Sequence, residues 1–507
     1  MEGLEGDGMK RFATVLLALL LAACSQGADQ GWPLHGRTTD AQGYSPLKQI
    51  DRSNVGRLGL AWYHDLDTDR GQEATPIVTG GKIYISSAYD VVEALDAHDG
   101  KLLWQYDPHV RAASAYSCCG PVSRGVAVAG GKVFVGALDG KLIALDANSG
   151  TPVWQVQTVD QSDPNAVNYT ITGAPRLVKD MVLIGNGGAE FGARGYVTAY
   201  DQATGKLRWR FYLVPGKPGT PDHAASDSAM KIARPTWSGK WWKWGGGGNA
   251  WDAIEYDPAL DLVYIGSGNG SPWNHGLRSD GKGDNLFLSS IVAVNADTGK
   301  YAWHFQETPA DSWDYTATQN IVFADLTIDG KQRKVLMQAP KNGFFYMLDR
   351  KTGQFISGKP YVKVNWATGL DPQTGRPIEV PAARYYRTGK PHMQFPSSGG
   401  GHNWPPMAFS PKTGLVYIPA QDVAIPYGQD LSQPFHEGAY NSGVALPGGG
   451  QMKGAALKAL YAGMKGYLIA WDPVKQKPAW TVDQAAPFNG GVLATGGGLV
   501  FAGNIAR

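Results

Sequence analysis

The chain has 507 residues, enough for a large core or several domains, with 46 basic against 44 acidic side chains and a formal charge of +2. That balance excludes the basic footprint of a nucleic-acid binder and suggests no strongly acidic partner. The composition is unusual instead in 67 Gly, 17 Trp and 23 Tyr, and glycine turns between aromatic strands point toward an all-β repeat architecture.

At the N-terminus, Lys10 and Arg11 precede a short apolar run, Phe12 to Ala23. The run is too brief to span a bilayer comfortably and fits the apolar region of an export signal. Leu21-Ala22-Ala23-Cys24 resembles a bacterial lipoprotein box, which implies a signal peptide over 1–23, a lipidated Cys24 and a tether over 24–31. Ser25 next, rather than Asp, favours the outer membrane by that resemblance. An ordinary secretory signal cleaved near Ala23 is the alternative. Either way a periplasmic chain is expected, in a compartment where disulfides persist.

A self-similar unit then recurs. Ala94–Trp104 reads ALDAHDGKLLW, Ala144–Trp154 ALDANSGTPVW, Ala199–Trp209 AYDQATGKLRW and Ala293–Trp303 AVNADTGKYAW, with a weaker copy at Ala470–Trp480. Each begins on a strand, turns through Asp/Asn-Gly chemistry and returns with a tryptophan on the next strand. A period of about 50 residues built from short antiparallel strands indicates a propeller with one four-stranded blade per repeat. The tryptophans are read as structural, locking blade against blade. Leu58–Leu66 (LGLAWYHDL) reads as an outer strand awaiting partners, and the last strand signal, GGLVFAG, runs into Arg507. The expectation is therefore a propeller over 32–507 whose last blade is incomplete, in a fragment of a longer chain.

Cys118 and Cys119 are adjacent, with only Cys24 besides. Neighbouring Cα atoms lie about 3.8 Å apart, below the roughly 4.4 Å lower edge of usual disulfide geometry. A bridge between neighbours closes almost no loop and adds little stability. Two readings stay open on the dipeptide alone: a strained bridge used as a rigid plate, or two reduced thiols.

Four islands interrupt the repeats: Ser117-Cys118-Cys119-Gly120 with Arg124, GNGGAEFGARG around Glu190, Trp251 followed by GSGN at Gly266–Asn269, and DSWDYT at Asp311–Thr316. In this order, on this repeat, they resemble the quinoprotein alcohol dehydrogenases that use pyrroloquinoline quinone (PQQ), over essentially all of the mature chain. The resemblance implies an eight-bladed propeller that oxidises an alcohol to the aldehyde. Electrons would pass to cytochrome c or a quinone.

Glu190 and Asn269 offer the hard oxygen ligands that suit calcium, and by the resemblance they bind it together with Asp314. Asp314 is the expected general base, which a nearby cation would keep ionised. Asp311, three residues earlier, is the rival and could instead orient the loop. Thr316 stands where lanthanide-using relatives place a further Asp, which favours calcium. Trp251 would stack on one face of the quinone and a bridged Cys118–Cys119 plate on the other. Arg124, Thr172 and Lys341 would clamp the cofactor carboxylates, with Glu73, Asn403, Trp404 and Asn489 as further contacts. Gly188 and Ala189 are small enough to let a flat ligand approach. The substrate pocket is expected from the irregular loops 365–398 and 423–453.

The given sequence has no C-x-x-C-H, hence no site for haem c within it, although many relatives that the motifs resemble carry a haem domain after the propeller, which a longer chain would add. A non-catalytic propeller lipoprotein that scaffolds outer-membrane assembly shares the repeats and the lipoprotein box, but has no need of Glu190, Asn269, Asp314 or the paired cysteines. An inactive fragment of the enzyme is the third possibility, since an unclosed ring exposes a strand edge.

Overall fold

The computed structural model describes residues 31–163, 166–431, 436, 438–445 and 463–505. The export signal, Cys24 and most of the tether lie outside the described residues. Six four-stranded antiparallel sheets follow one another along the chain, each strand hydrogen-bonded to the next in sequence except in the sixth. The third is typical: Arg176–Val178, Met181–Gly185, Tyr196–Asp201 and Leu207–Tyr212. Its inner strands are buried throughout because each sheet is packed between two others. Val178, Leu183 and Val197 of that blade pack with Ile254, Val263 and Val292 of the next. The sequence reading of propeller blades holds.

The repeat has a direct physical cause. In the third blade Asp201 Oδ1 accepts the backbone N–H groups of Ala203 and Thr204 at 3.1 and 2.9 Å, closing a side-chain turn, and Gly205 completes it in the left-handed region at φ +69°. Trp209 then lies on the equivalent turn glycine of the following blade, Gly299, where a Cβ would come within 2.6 Å of the indole. Its Nε1 donates to the Ala296 carbonyl at 2.9 Å. Trp104 on Gly150, Trp154 on Gly205 and Trp303 on Gly353 repeat the contact.

A seventh sheet joins Val492–Thr495 and Val500–Ala502 to the parallel strand Tyr44–Ser45. Leu58–Leu66 is unpaired, yet Trp62 lies on Gly100 as the blade tryptophans lie on theirs, in the place an outer strand of a preceding blade would fill. A cavity of about 630 Å³ lies between the seventh sheet and the first blade. The loops expected to be irregular carry small sheets of their own: Ala367–Leu370 with Pro377–Glu379, and His392–Gln394 with Ile425–Gln429 and Val444–Ala445.

Candidate active site

In each blade the first strand starts, and the second ends, at the same end of the propeller axis. Residues just before first strands and just after second strands therefore converge. Glu73, Arg124, Thr172, Trp251 and Asp314 are of the former kind; Glu190, Asn269 and Lys341 are of the latter. Together with Cys118, Cys119, Gly188, Ala189, Asn403 and Trp404 they line one cavity of about 210 Å³. Asn489 does not join them: its Nδ2 donates to the Ala486 carbonyl and its Oδ1 accepts from the Ile505 N–H.

Two ion pairs cross the cavity wall. Arg124 meets Glu73 at 2.8 Å and donates to Thr172 Oγ1 at 2.7 Å, with its guanidinium 4.6 Å from the Trp251 ring centroid. Lys341 Nζ donates to Asp314 Oδ2 at 3.0 Å. Burial pushes the Asp314 carboxyl well above its ordinary range, Lys341 pulls it back, and the Glu190 charge pushes it further up. Burial works against the Lys341 ammonium, but Asp314 carries its pKa above the usual value. Asp314 is also held in the left-handed region, at φ +63°, a strained conformation typical of functional positions.

Asp311 does the other job. Its Oδ1 accepts the N–H groups of Trp313 and Tyr315 at 3.1 and 3.0 Å, so it shapes the loop that presents Asp314. Burial raises it to about 6 against the pull of the Arg278 charge. Thr316 is turned away from the cavity, and its hydroxyl accepts from Thr318 and Gln319.

Glu190 is buried and accepts from Asn269 Nδ2 at 2.8 Å and Trp273 Nε1 at 2.9 Å. Because the ion pairs engage Glu73 and Asp314, Glu190 has no cationic partner among the described residues. No three His, Cys, Asp or Glu side chains assemble for a metal among the described residues. The donor set therefore relies on Asn269, whose amide needs only a half-turn to present oxygen instead of nitrogen. Two carboxylates and an amide oxygen around a buried excess of negative charge fit a calcium ion. On the opposite wall Arg124 Nε is buried without a partner, which fits an anionic cofactor.

Cys118 and Cys119 are free thiols, exposed at the cavity rim, rather than a bridge. A thiol–thiol hydrogen bond holds Cys118 up and Cys119 down in pKa, and Arg124 and Lys341 further favour the Cys119 thiolate. At Gly188, with φ +96°, a Cβ would strike the Asn168 carbonyl at 2.3 Å, so chain packing by itself also demands a glycine there.

Residues 32–366 match the family described as "PQQ: Glucose/ethanol/alcohol dehydrogenase, beta-propeller domain". The chain belongs to this PQQ dehydrogenase family. It is 55% identical to the alcohol dehydrogenase (quinone) dehydrogenase subunit of Komagataeibacter europaeus, over 93% of this chain and 65% of that protein. The chain thus spans about 65% of the length of that curated relative. Among solved structures, quinohemoprotein alcohol dehydrogenase ADHIIG of Pseudomonas putida HK5 superposes with a TM-score of 0.90 at 53% identity, covering 94% of this chain and 70% of that one. A europium-containing methanol dehydrogenase superposes at 0.82 with 38% identity, covering 94% and 82%.

Sequence reasoning missed three members of this PQQ-family site. Trp273 anchors Glu190, Asn249 lines the cavity, and Tyr440 stands at its mouth in edge contact with Phe191 and Trp273, each about 6.1 Å away. Asn441 fixes that loop by donating its N–H to the Glu190 carbonyl at 2.9 Å. Only Trp273, in GSPWN directly after GSGN, carried a local signal.

Proposed function

We propose that the axial cavity holds PQQ with a calcium ion and that the chain oxidises an alcohol to the aldehyde. When bound, PQQ accepts the hydride while calcium polarises the quinone carbonyl as a Lewis acid. Arg124, Thr172 and Lys341 would bind the cofactor carboxylates, with Glu73, Asn403 and Trp404 beside them. Trp251 and the adjacent Cys118 and Cys119 would hold its two faces. Glu190, Asn269 and Asp314 would supply the calcium ligands.

Asp314 takes the hydroxyl proton on its carboxylate as hydride leaves the carbinol carbon. Lys341, 3.0 Å from Oδ2, orients that carboxylate and favours its ionised form. Tyr440, held edge-on by Phe191 and Trp273, lines the cavity and would limit water around the reacting alcohol. With Thr316 engaged elsewhere, Glu190 and Asp314 are the two carboxylates that would hold the ion, which suits calcium over a trivalent lanthanide.

The periplasm, a lipid anchor at Cys24 and a cytochrome c or quinone acceptor complete the reading. The observation that carries it is the convergence of Arg124, Glu190, Trp251, Asn269, Asp314 and Lys341 on one cavity. A scaffold has no use for such a buried charge cluster. Reconstitution with PQQ and calcium, followed by dye reduction with a panel of primary alcohols, tests it. Calcium-dependent turnover is expected; no turnover with any alcohol at full PQQ occupancy overturns it.

A further inference from the structure

Below the cavity the axis stays charged. Arg176 meets Asp252 at 3.1 Å, and its Nε stands 3.9 Å from Glu255 Oε1, too long for a direct hydrogen bond. His35, from the N-terminal segment, reaches Thr75 Oγ1 at 3.4 Å, and the Thr75 N–H donates to the Arg124 carbonyl at 3.3 Å. Arg176, Asp252 and Glu255 are all buried.

Arg176 Nε and Glu255 Oε1 have no hydrogen-bond partner, like Arg124 Nε above them. Such buried orphans call for ordered water. A cavity of about 30 Å³ lined by His35, Arg176 and Glu255 has room for one. Glu73 and Arg124 line the candidate site at the other end.

We propose that Glu73, Arg124, Asp252, Arg176, Glu255 and His35 form a water-bridged proton path along the propeller axis, leading from the cofactor cavity to the opposite end. The need for it rests on the function proposed above. Each alcohol that becomes an aldehyde gives up two electrons and two protons; the electrons leave to the acceptor, and the protons must leave a buried cavity separately. The carboxyls of Glu73, Asp252 and Glu255 carry protons in turn, the two arginines order the waters between them, and His35 passes protons to the lower cavity.

The chemistry of the groups suits the task. Burial raises all three carboxyls, Glu255 to about 7, so Glu255 can gain and lose a proton near neutrality. Arg176 opposes that rise at Glu255, while Asp252 and Asp40 add to it. Burial, with the charges of Arg176 and Arg124, pushes His35 well down, so it stays a neutral imidazole that can accept and donate. A cluster that merely ties four inner strands together would require none of this.

The test uses the full chain with Glu255→Gln, and Glu255→Asp as the variant that restores a carboxyl. In the protein without cofactor, infrared titration should find a buried protonated carboxyl losing its proton near pH 7, absent in Glu255→Gln. After reconstitution with PQQ and calcium, reduction of the cofactor by alcohol should be unchanged in Glu255→Gln. Steady-state turnover and proton release to a pH dye should slow about tenfold, with a larger solvent isotope effect, and Glu255→Asp should recover part of both. A Glu255 carboxyl ionised throughout, or a Glu255→Gln protein that releases protons at the wild-type rate while losing only thermal stability, overturns the path. A wild-type protein that shows the infrared signal but whose bound cofactor no alcohol reduces overturns the function instead, and the path's role with it.

Discussion

The rim and the axis of this propeller treat burial in opposite ways. At the rim Trp104, Trp154, Trp209 and Trp303 each cover a turn glycine, and in the first three the indole N–H is spent on a backbone carbonyl. At the axis desolvation raises the pKa values of Asp314, Glu255 and Asp252, and Glu190 forms no ion pair among the described residues. The same strands serve both regions. Stability is spread over repeated contacts, while reactivity gathers where the repeat breaks and charged groups are left short of partners.

If that contrast is right, damage at the axis should cost chemistry and spare the fold. Asp314→Asn should lower turnover by about 10⁴-fold, with PQQ occupancy and Tm near wild type; dye reduction and thermal unfolding read the two separately. Damage at the rim should do the reverse. Trp209→Ala should cost about 3–5 kcal/mol of stability. Denaturant unfolding of both variants decides this, and equal losses would break the contrast.

Glu190→Gln sits between these extremes, removing one carboxylate from the ion site. Calcium affinity should fall by about a hundredfold, read by isothermal titration, with excess calcium restoring part of the activity. The smallest effect is a pH slope. Glu255 holds its proton up to about 7 in the folded chain, whereas the unfolded chain releases it near the ordinary glutamate value. The native state therefore binds more protons in that window, and stability should fall as pH rises through it and level off above. Glu255→Gln should flatten this slope, shifting the difference in Tm between pH 5 and 8 by about a few degrees.

Much of this was legible in sequence because the rim is chemically repetitive. Asp or Asn, then Gly, then Trp is a turn, a left-handed residue and a lid, and each repeat states it again. The islands around Cys118, Glu190, Asn269 and Asp314 stood out as interruptions of that period, and the propeller brings them to one cavity. Asn489 lay in a similar place along the chain but its amide is used locally. Tyr440 was not legible, because it comes from a long loop without period. Arg176, Asp252 and Glu255 were not legible either: charged residues on short strands read as surface until the strands are placed around an axis.

The central claim is that the axial cavity is a calcium-dependent PQQ site, and an equilibrium titration of the protein with PQQ, followed by tryptophan fluorescence, tests it most directly. The account predicts saturation at one PQQ per chain, with binding weakened by calcium chelation, by Lys341→Ala and by Glu190→Gln. Absence of saturable binding, or binding indifferent to calcium and to both substitutions, would contradict it.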